Sequence, residues 1–506
     1  MLQREYGMEE AAPRKMLGRA SLAGGGTVYQ QGISFISGMI VARVIGAAEY
    51  GVFNLARSLI DAMLIMTRLG LEIGLQRFLG ESGGADDRTH RLVVLRQLRI
   101  IAAAVALVPG VLIGLGLGQV VQDHLYHYAG FAQVLLCLAL ALPFATDLAV
   151  LGGAYRGALR LGPSVLAESM LMPTVRLILT VVLFMLGLRL WAVVVGTAAG
   201  SLIASAFLAV RAHRDFGAPP LRVAATTASW AEARRVIRYS VVLAAAVLVT
   251  TLASSMDVLM LGHFAPAADL GRYTLAKILV VLIGLGAAAF NQSLGALVAN
   301  RYFRGDVAGV VQVMSSAIGW IALGTLPALA VFVFWGSQLI QVFGASFTIS
   351  SSVIGVLAAS QSVQALFGPA GWALSMTGRQ FLELKILIVG LLLSVVLCLL
   401  MVPRMGQIGA ALAIFSAMTA TNLLRLLCVR KTLRALPYDI TLLFGAIATL
   451  GLAWITRTLV DWFIAPGILS TALGVSVFLA AYVAVCWRRL RAVLLGNGVQ
   501  AVAGHV

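Results

Sequence analysis

Apolar residues run along this chain in long blocks, and polar residues are confined mostly to the short gaps between them. A block of about 20 apolar residues predicts a helix that crosses a bilayer, because peptide groups in hydrocarbon must find their hydrogen bonds within their own segment. Fourteen such blocks are expected, at 22–46, 52–78, 92–118, 131–154, 165–188, 190–211, 239–262, 272–299, 308–335, 350–374, 381–403, 407–429, 438–461 and 464–487. The fold class is therefore read as an all-α integral membrane protein. Pro109, Pro143, Pro173, Pro327 and Pro369 fall inside blocks. Each removes a backbone donor and kinks its helix, either for static packing or for bending during transport.

The gaps carry an asymmetric charge. With the N-terminus in the cytoplasm, 27 of the 37 lysines and arginines fall on the inner side and 5 on the outer, with the remaining 5 inside blocks. Basic residues are retained on the cytoplasmic side, so the bias predicts both termini inside and an even number of crossings. The longest internal gap, Arg211 to Arg238, holds six arginines and Pro219-Pro220 and sits where a two-lobed molecule needs its linker.

One stretch occurs twice. Ala47-Ala48-Glu49-x-Gly51-x-Phe53-x-Leu55-Ala56-Arg57 returns 220 residues later as Ala267-Ala268-Asp269-x-Gly271-x-Tyr273-x-Leu275-Ala276-Lys277. A weaker echo relates Ala154–Arg160 to Ala373–Arg379. Six spans separate the copies, so both lie the same way up, which makes a parallel repeat. The expected organisation is a cytoplasmic N-terminus (1–21), a six-helix lobe (22–211), a basic cytoplasmic linker (212–238), a second six-helix lobe (239–429), and two extra helices with a cytoplasmic tail (430–506).

The second block carries Arg57, Asp61, Arg68 and Glu72. On a continuous helix these four share one stripe within roughly 60° of arc and roughly 22 Å of length. Unpaired in lipid, four ionised groups would cost roughly 10–14 kcal/mol, so the stripe is expected to face protein or a water-filled cavity. Two readings follow. Arg57–Asp61 and Arg68–Glu72 can neutralise each other as i,i+4 pairs. Alternatively the guanidinium groups hold an anionic substrate, phosphate above all, while the acids balance charge. Lys277 holds the repeat position of Arg57, and Arg176, with Glu168 two turns away, is a further base; Arg57, Arg68, Arg176 and Lys277 form the candidate cationic cavity. Asp257 and Asp147 are read as intramembrane acids, either proton or sodium sites or satisfied structural hydrogen bonds. Glu383 and Lys385 are expected to snorkel from a helix end.

Composition narrows the class. The chain has 506 residues, 60% apolar and 11% charged, and its mean hydropathy is +0.96. The net charge of +17 lies in short loops, which argues for membrane topology and against nucleic acid. Cys137, Cys398, Cys428 and Cys486 show no paired spacing, so no disulfide or zinc framework is expected. No GxxxxGK[ST], HExxH or CxxC occurs, so the chain encodes no nucleotide-driven pump, and no metal site is expected. His124 and His127 read as part of an interfacial belt.

Ala42-Arg43-x-x-Gly46-x-x-Glu49-Tyr50-Gly51-x-Phe53, Leu69-Gly70-Leu71 and Arg77-Phe78 resemble the opening of bacterial oligosaccharide flippases, the polysaccharide or O-antigen flippases of the multidrug/oligosaccharidyl-lipid/polysaccharide exporter superfamily. Asp257, Gly262, Asp269, Gly271 and Tyr273 are similar to the matching part of the second lobe, with His263 where the family usually has a basic residue. With the repeat and the span count, the resemblance covers nearly the whole chain. It implies a 14-helix transporter in the bacterial inner membrane, moving a polyprenyl-pyrophosphate-linked oligosaccharide from the cytoplasmic to the periplasmic leaflet by alternating access. It also implies a cationic cavity, coupling to H+ or Na+ in at least some members, no other cofactor, and polysaccharide polymerase and glycosyltransferase partners. The rival readings are a lipid II flippase, a cation-coupled drug exporter, whose cavity should favour acids and aromatics over arginine, and a membrane glycan polymerase or ligase, which commonly needs a large outer loop. The first reading makes the protein a transporter and not an enzyme.

Overall fold

The structure, a computed structural model, describes residues 12–81, 88–217, 227–284, 300–344, 346–439, 441–465 and 467–494, together with 287, 294 and 298. The regular elements among the described residues are helices: α1 (Ala12–Arg68), α2 (Leu71–Glu81), α3 (Arg88–Leu112), α4 (Phe131–Leu140), α5 (Leu142–Gly157), α6 (Met172–Met185), α7 (Arg189–Phe216), α8 (Thr227–Phe264), α9 (Ala267–Val280), α10 (Val307–Gln341), α11 (Ser351–Met376), α12 (Gln380–Leu433), α13 (Thr441–Phe463) and α14 (Ile468–Leu494). The all-α, multi-span reading holds.

Eleven helical runs among the described residues are long and apolar enough to cross a membrane. Two of them, Gly25–Leu79 and Gln380–Leu433, have 55 and 54 residues. A continuous helix of that length measures roughly 80 Å, more than twice the hydrocarbon thickness. Both are broken at glycine, Gly46 with φ 78° and Gly406 with φ 55°, in the left-handed region that a side chain rarely tolerates. These breaks fall where the sequence ends one block and begins the next. The block expected at 272–299 is described through α9 and a short 3-10 turn at Val281–Gly284; most of the remainder lies outside the described residues.

The prolines sort into two groups. Pro109, Pro327 and Pro369 lie inside helices, as does Pro403. Pro143 and Pro173 instead sit where one helical segment passes into the next, in the first turn of α5 and α6. A wide π turn, Val165–Leu171, takes up the backbone just before Pro173. Within the stretch 212–238 expected as a linker, α7 runs to Phe216 and α8 starts at Thr227, and residues 218–226 lie outside the described residues.

The chain divides into two compact units, Met1–Thr251 and Leu252–Val506. In the first, α2 lies between α5 and α8. Its contact with α5 is backbone on backbone: a Cβ at Gly153 would lie 2.5 Å from Glu72 Cα, and one at Gly157 would lie 2.7 Å from the Leu75 carbonyl. This small-xxx-small spacing replaces the hydrophobic drive that lipid removes. Gly70 and Gly74 make the matching approach to Ser240 on α8. Leu71, Leu75, Leu98 and Val150 form the core there.

In the second unit, Val310, Met314, Leu374, Ile386 and Val429 gather α10, α11 and both halves of α12 around one core. The last two helices pack on α10 through Trp335, Ala453 and Phe478. Large apolar side chains such as Leu115, Met185, Trp462, Phe463 and Val485 are exposed, the inside-out distribution expected where the solvent is hydrocarbon.

Candidate functional site

Most candidate bases lie on two neighbouring helices of the first unit, α1 and α6 with its leading π turn. α1 does not continue to Glu72. It ends at Arg68, and the chain turns through Leu69 (φ 52°) and Gly70 (φ 67°) before α2 begins. The single stripe expected through Glu72 is therefore broken, and the i,i+4 reading of Arg68–Glu72 loses its continuous helix. The charges instead suit the break itself. Arg68 sits in the last turn of α1 and Glu72 in the first turn of α2, each at the helix end whose dipole it complements.

Arg57 and Asp61 form an open i,i+4 pair, Nε to Oδ2 3.6 Å, with side chains 43% and 51% exposed. That geometry is worth little, about 0.3–0.5 kcal/mol. Deeper in, polar atoms stand without partners: Arg68 Nε, Arg176 Nε and Glu72 Oε2 are buried and make no hydrogen bond. A buried unmet donor costs about 1–3 kcal/mol, and a charged one more. The charged neighbours of Arg68 are Glu72, Glu168, Asp61 and Arg156; those of Arg176 are Arg57 and Asp61, with Tyr50 alongside. Arg57, Arg68 and Arg176 thus share one neighbourhood.

Glu168, on the π turn, does not partner Arg176. It takes two hydrogen bonds from Arg156 Nη1, at 2.8 and 3.0 Å, and lies against Gly152, where no side chain obstructs it. Arg156, in the last turn of α5 and just past the span expected at 131–154, belongs to this cluster. Asp147 is likewise not alone. Arg99 grips both its oxygens, at 2.7 and 3.0 Å, and Ser205 Oγ adds a third bond at 3.1 Å. Arg99, inside the span expected at 92–118, reaches it from α3.

In the second unit, Lys277 offers no open charge. Its Nζ lies 2.6 Å from Asp257 Oδ1 and 2.5 Å from the Ser254 carbonyl, while Tyr273 Oη donates to Asp257 Oδ2 at 2.7 Å. Asp257 is wholly buried. Glu383 does not snorkel. It is buried against Arg425, which donates to it through Nε at 2.9 Å and Nη2 at 2.5 Å, and Gly371 leaves the room. Arg425 falls at the cytoplasmic end of the span expected at 407–429. Its placement one turn before Arg430 and Lys431, inside an apolar run, was the available signal. Among the described residues no group of three or more His, Cys, Asp or Glu is placed to hold a metal ion.

Chemically, the first unit presents guanidinium donors that protein acceptors do not consume, close to an apolar exterior. A many-helix membrane protein of two repeated lobes, with charge buried in its spans, is built as a transporter. Residues 20–296 match the polysaccharide biosynthesis protein family, and the chain belongs to that family. It is 24% identical over 389 residues to the probable low-salt glycan biosynthesis flippase Agl15 of Haloferax volcanii, covering 76% of this chain and 77% of that protein. Its fold is that of the lipid II flippase MurJ in an inward closed conformation (TM-score 0.73, 13% identity, 93% of this chain and 99% of that one). It is also that of an inward-facing multidrug resistance MATE family transporter (TM-score 0.67, 15% identity, 80% and 94%). The protein is a multi-pass membrane transporter of the flippase superfamily, not an enzyme.

Proposed function

We propose that this transporter moves a polyprenyl-pyrophosphate-linked oligosaccharide from the cytoplasmic to the periplasmic leaflet of a bacterial inner membrane, by alternating access, for surface or exopolysaccharide synthesis. The observation that carries the reading is the pair of buried, unpartnered guanidinium nitrogens on Arg68 and Arg176, beside the open side chain of Arg57. A diphosphate supplies the oxygens such forks lack, and an apolar wall suits the polyprenyl chain. The related Agl15, named as a glycan biosynthesis flippase, supports the same substrate class. Counting the two double-length runs twice and adding the 272–299 block gives fourteen spans and termini on one side, which the Lys and Arg bias makes the cytoplasm. Lys277, held by Asp257, is left out of the binding set.

The test is export of lipid-linked glycan in cells carrying Arg57→Ala, Arg68→Ala and the double variant, with membrane insertion followed in parallel. Each single change is expected to cut export about 10–100-fold, as the loss of a charged hydrogen bond to phosphate does. Normal export by a double variant that inserts normally would refute the role. Cell lysis on depletion, in place of loss of a surface polysaccharide, would move the substrate to lipid II.

A further inference from the structure

The first turns of α8 have two unlike sides. At about 100° per residue, Ser229, Ala233, Val236 and Ser240 fall within roughly 60° of arc, and all four are buried. That side is docked on the first unit. Ala233 and Val236 join the core of Leu71 and Leu98, Ser229 Oγ accepts a hydrogen bond from Gln97 Nε2 at 3.1 Å, and Ser240 lies against Gly70 and Gly74. The opposite side carries Trp230, Arg234, Arg235, Arg238 and Tyr239, all exposed. Glu232 is the one acid between Thr227 and Met256, and its Oε2 lies 2.5 Å from Nε2 of His90 on α3. Among the described residues no ion pair joins Arg234, Arg235 or Arg238 to an acid. Arg77, from α2, brings a fourth guanidinium to the same face, 4.5 Å above the ring of Tyr239.

The exposed side changes character within a turn. Val241 and Val242 follow Arg238 on the same arc and are exposed apolar groups, as hydrocarbon requires. α8 has 38 residues and measures roughly 57 Å, nearly twice the hydrocarbon thickness, so its polar first turns stand outside the hydrocarbon. Arg238 precedes Val241 by roughly 4.5 Å of rise and Arg234 precedes it by roughly 10 Å, which is the depth of the headgroup layer. The lysine and arginine bias makes that layer the cytoplasmic one. A guanidinium fork grips two phosphate oxygens, and Trp and Tyr rings settle at the same depth. Phosphatidylcholine carries its own cation beside its phosphate, whereas the phosphate of phosphatidylglycerol is unbalanced. Four guanidinium groups complement the second.

We propose that the outward face of α8 from Trp230 to Tyr239, with Arg77, is a binding surface for anionic phospholipid of the cytoplasmic leaflet. The lipid phosphate is gripped by the arginines and holds the start of α8 in the headgroup layer. This surface is distinct from Arg57, Arg68 and Arg176 and stands whether or not those residues meet a substrate.

The experiment follows thermal unfolding of the purified full-length protein in micelles doped with phosphatidylglycerol or, at the same level, phosphatidylcholine. Wild type is expected to unfold about 4 °C higher with phosphatidylglycerol, and to lose the difference in about 0.5 M salt. Arg234→Gln/Arg235→Gln/Arg238→Gln is expected to keep its midpoint in phosphatidylcholine and lose most of the gain. Arg214→Gln/Arg304→Gln/Lys431→Gln removes as much charge from exposed positions elsewhere and is expected to keep the gain. A gain absent from wild type, unchanged in the α8 variant, or lost equally in the control variant would overturn the proposal. A second measurement uses wild type alone, so it holds even if the α8 variant fails to fold. Phosphatidylglycerol is expected to slow phenylglyoxal modification of Arg234, Arg235 and Arg238 about fivefold relative to Arg214, while glycerol phosphate at the same phosphate concentration does not. No protection by the lipid, or equal protection by glycerol phosphate, would overturn the assignment.

Discussion

The two repeated lobes carry the same signature sequence and spend its charge differently. In the second unit every acid named in the spans is matched: Asp257 by Lys277, Glu383 by Arg425. In the first unit some pairs close, Asp147 with Arg99 and Glu168 with Arg156, but Arg68, Glu72 and Arg176 keep buried atoms unmet and Arg57 keeps an open pair. One substitution accounts for part of the contrast. The residue 220 positions before Asp257 is Ser37, so the base at 57 has no carboxylate on the preceding helix where the base at 277 has one. A repeat preserves the scaffold, while single positions decide which copy neutralises itself and which stays available to a ligand.

That contrast can be broken first at its most stable point. Arg425→Ala leaves Glu383 buried and uncompensated and should cost about 3–5 kcal/mol in thermal unfolding, with an Arg425→Met/Glu383→Leu pair restoring most of it. A loss no larger than that of a surface substitution would show that the second unit does not depend on its closed pairs. Next, Ser37→Asp gives the first unit the acid that the second already has. Export should fall about tenfold or more as Arg57 is neutralised, with no loss of insertion; unchanged export would mean that Arg57 does not meet the substrate. Gly153→Ala forces a methyl into the α2 backbone and should cost about 1–3 kcal/mol, read by unfolding midpoint, since neither helix has a side chain to move aside. The smallest effect is expected from Asp61→Asn. Its open, half-exposed pair predicts a stability change within about 0.5 kcal/mol, and a larger one would place Asp61 among the structural acids.

The spans were legible because length and apolarity alone identify them, and the repeat was legible because acid, glycine, aromatic and base kept their spacing. The charge partners were not. Arg99–Asp147, Arg425–Glu383 and Lys277–Asp257 are separated by 48, 42 and 20 residues, and each joins different helical segments, whereas inspection of a single block offers only neighbours three or four positions apart. The turn at Leu69 was hidden for another reason. Leu69 carries no preference for a left-handed backbone; the signal was Gly70 beside it, a single glycine inside an apolar block, whose close approach to Ser240 on α8 appears only in the fold. Arg57, Arg68 and Arg176 could be named from sequence as bases in apolar helices, but which of their nitrogens stay unclaimed was set by neighbours that only the folded chain brings near.

The interruption at Leu69 and Gly70 also divides labour along that segment. α2 lies close against α5 at Gly153 and Gly157 and against α8 through Gly70 and its own Gly74, whereas the stretch from Gly46 to Arg68 is bounded at each end by a positive-φ backbone. A rotation at either bend would carry the arginines at 57 and 68 together.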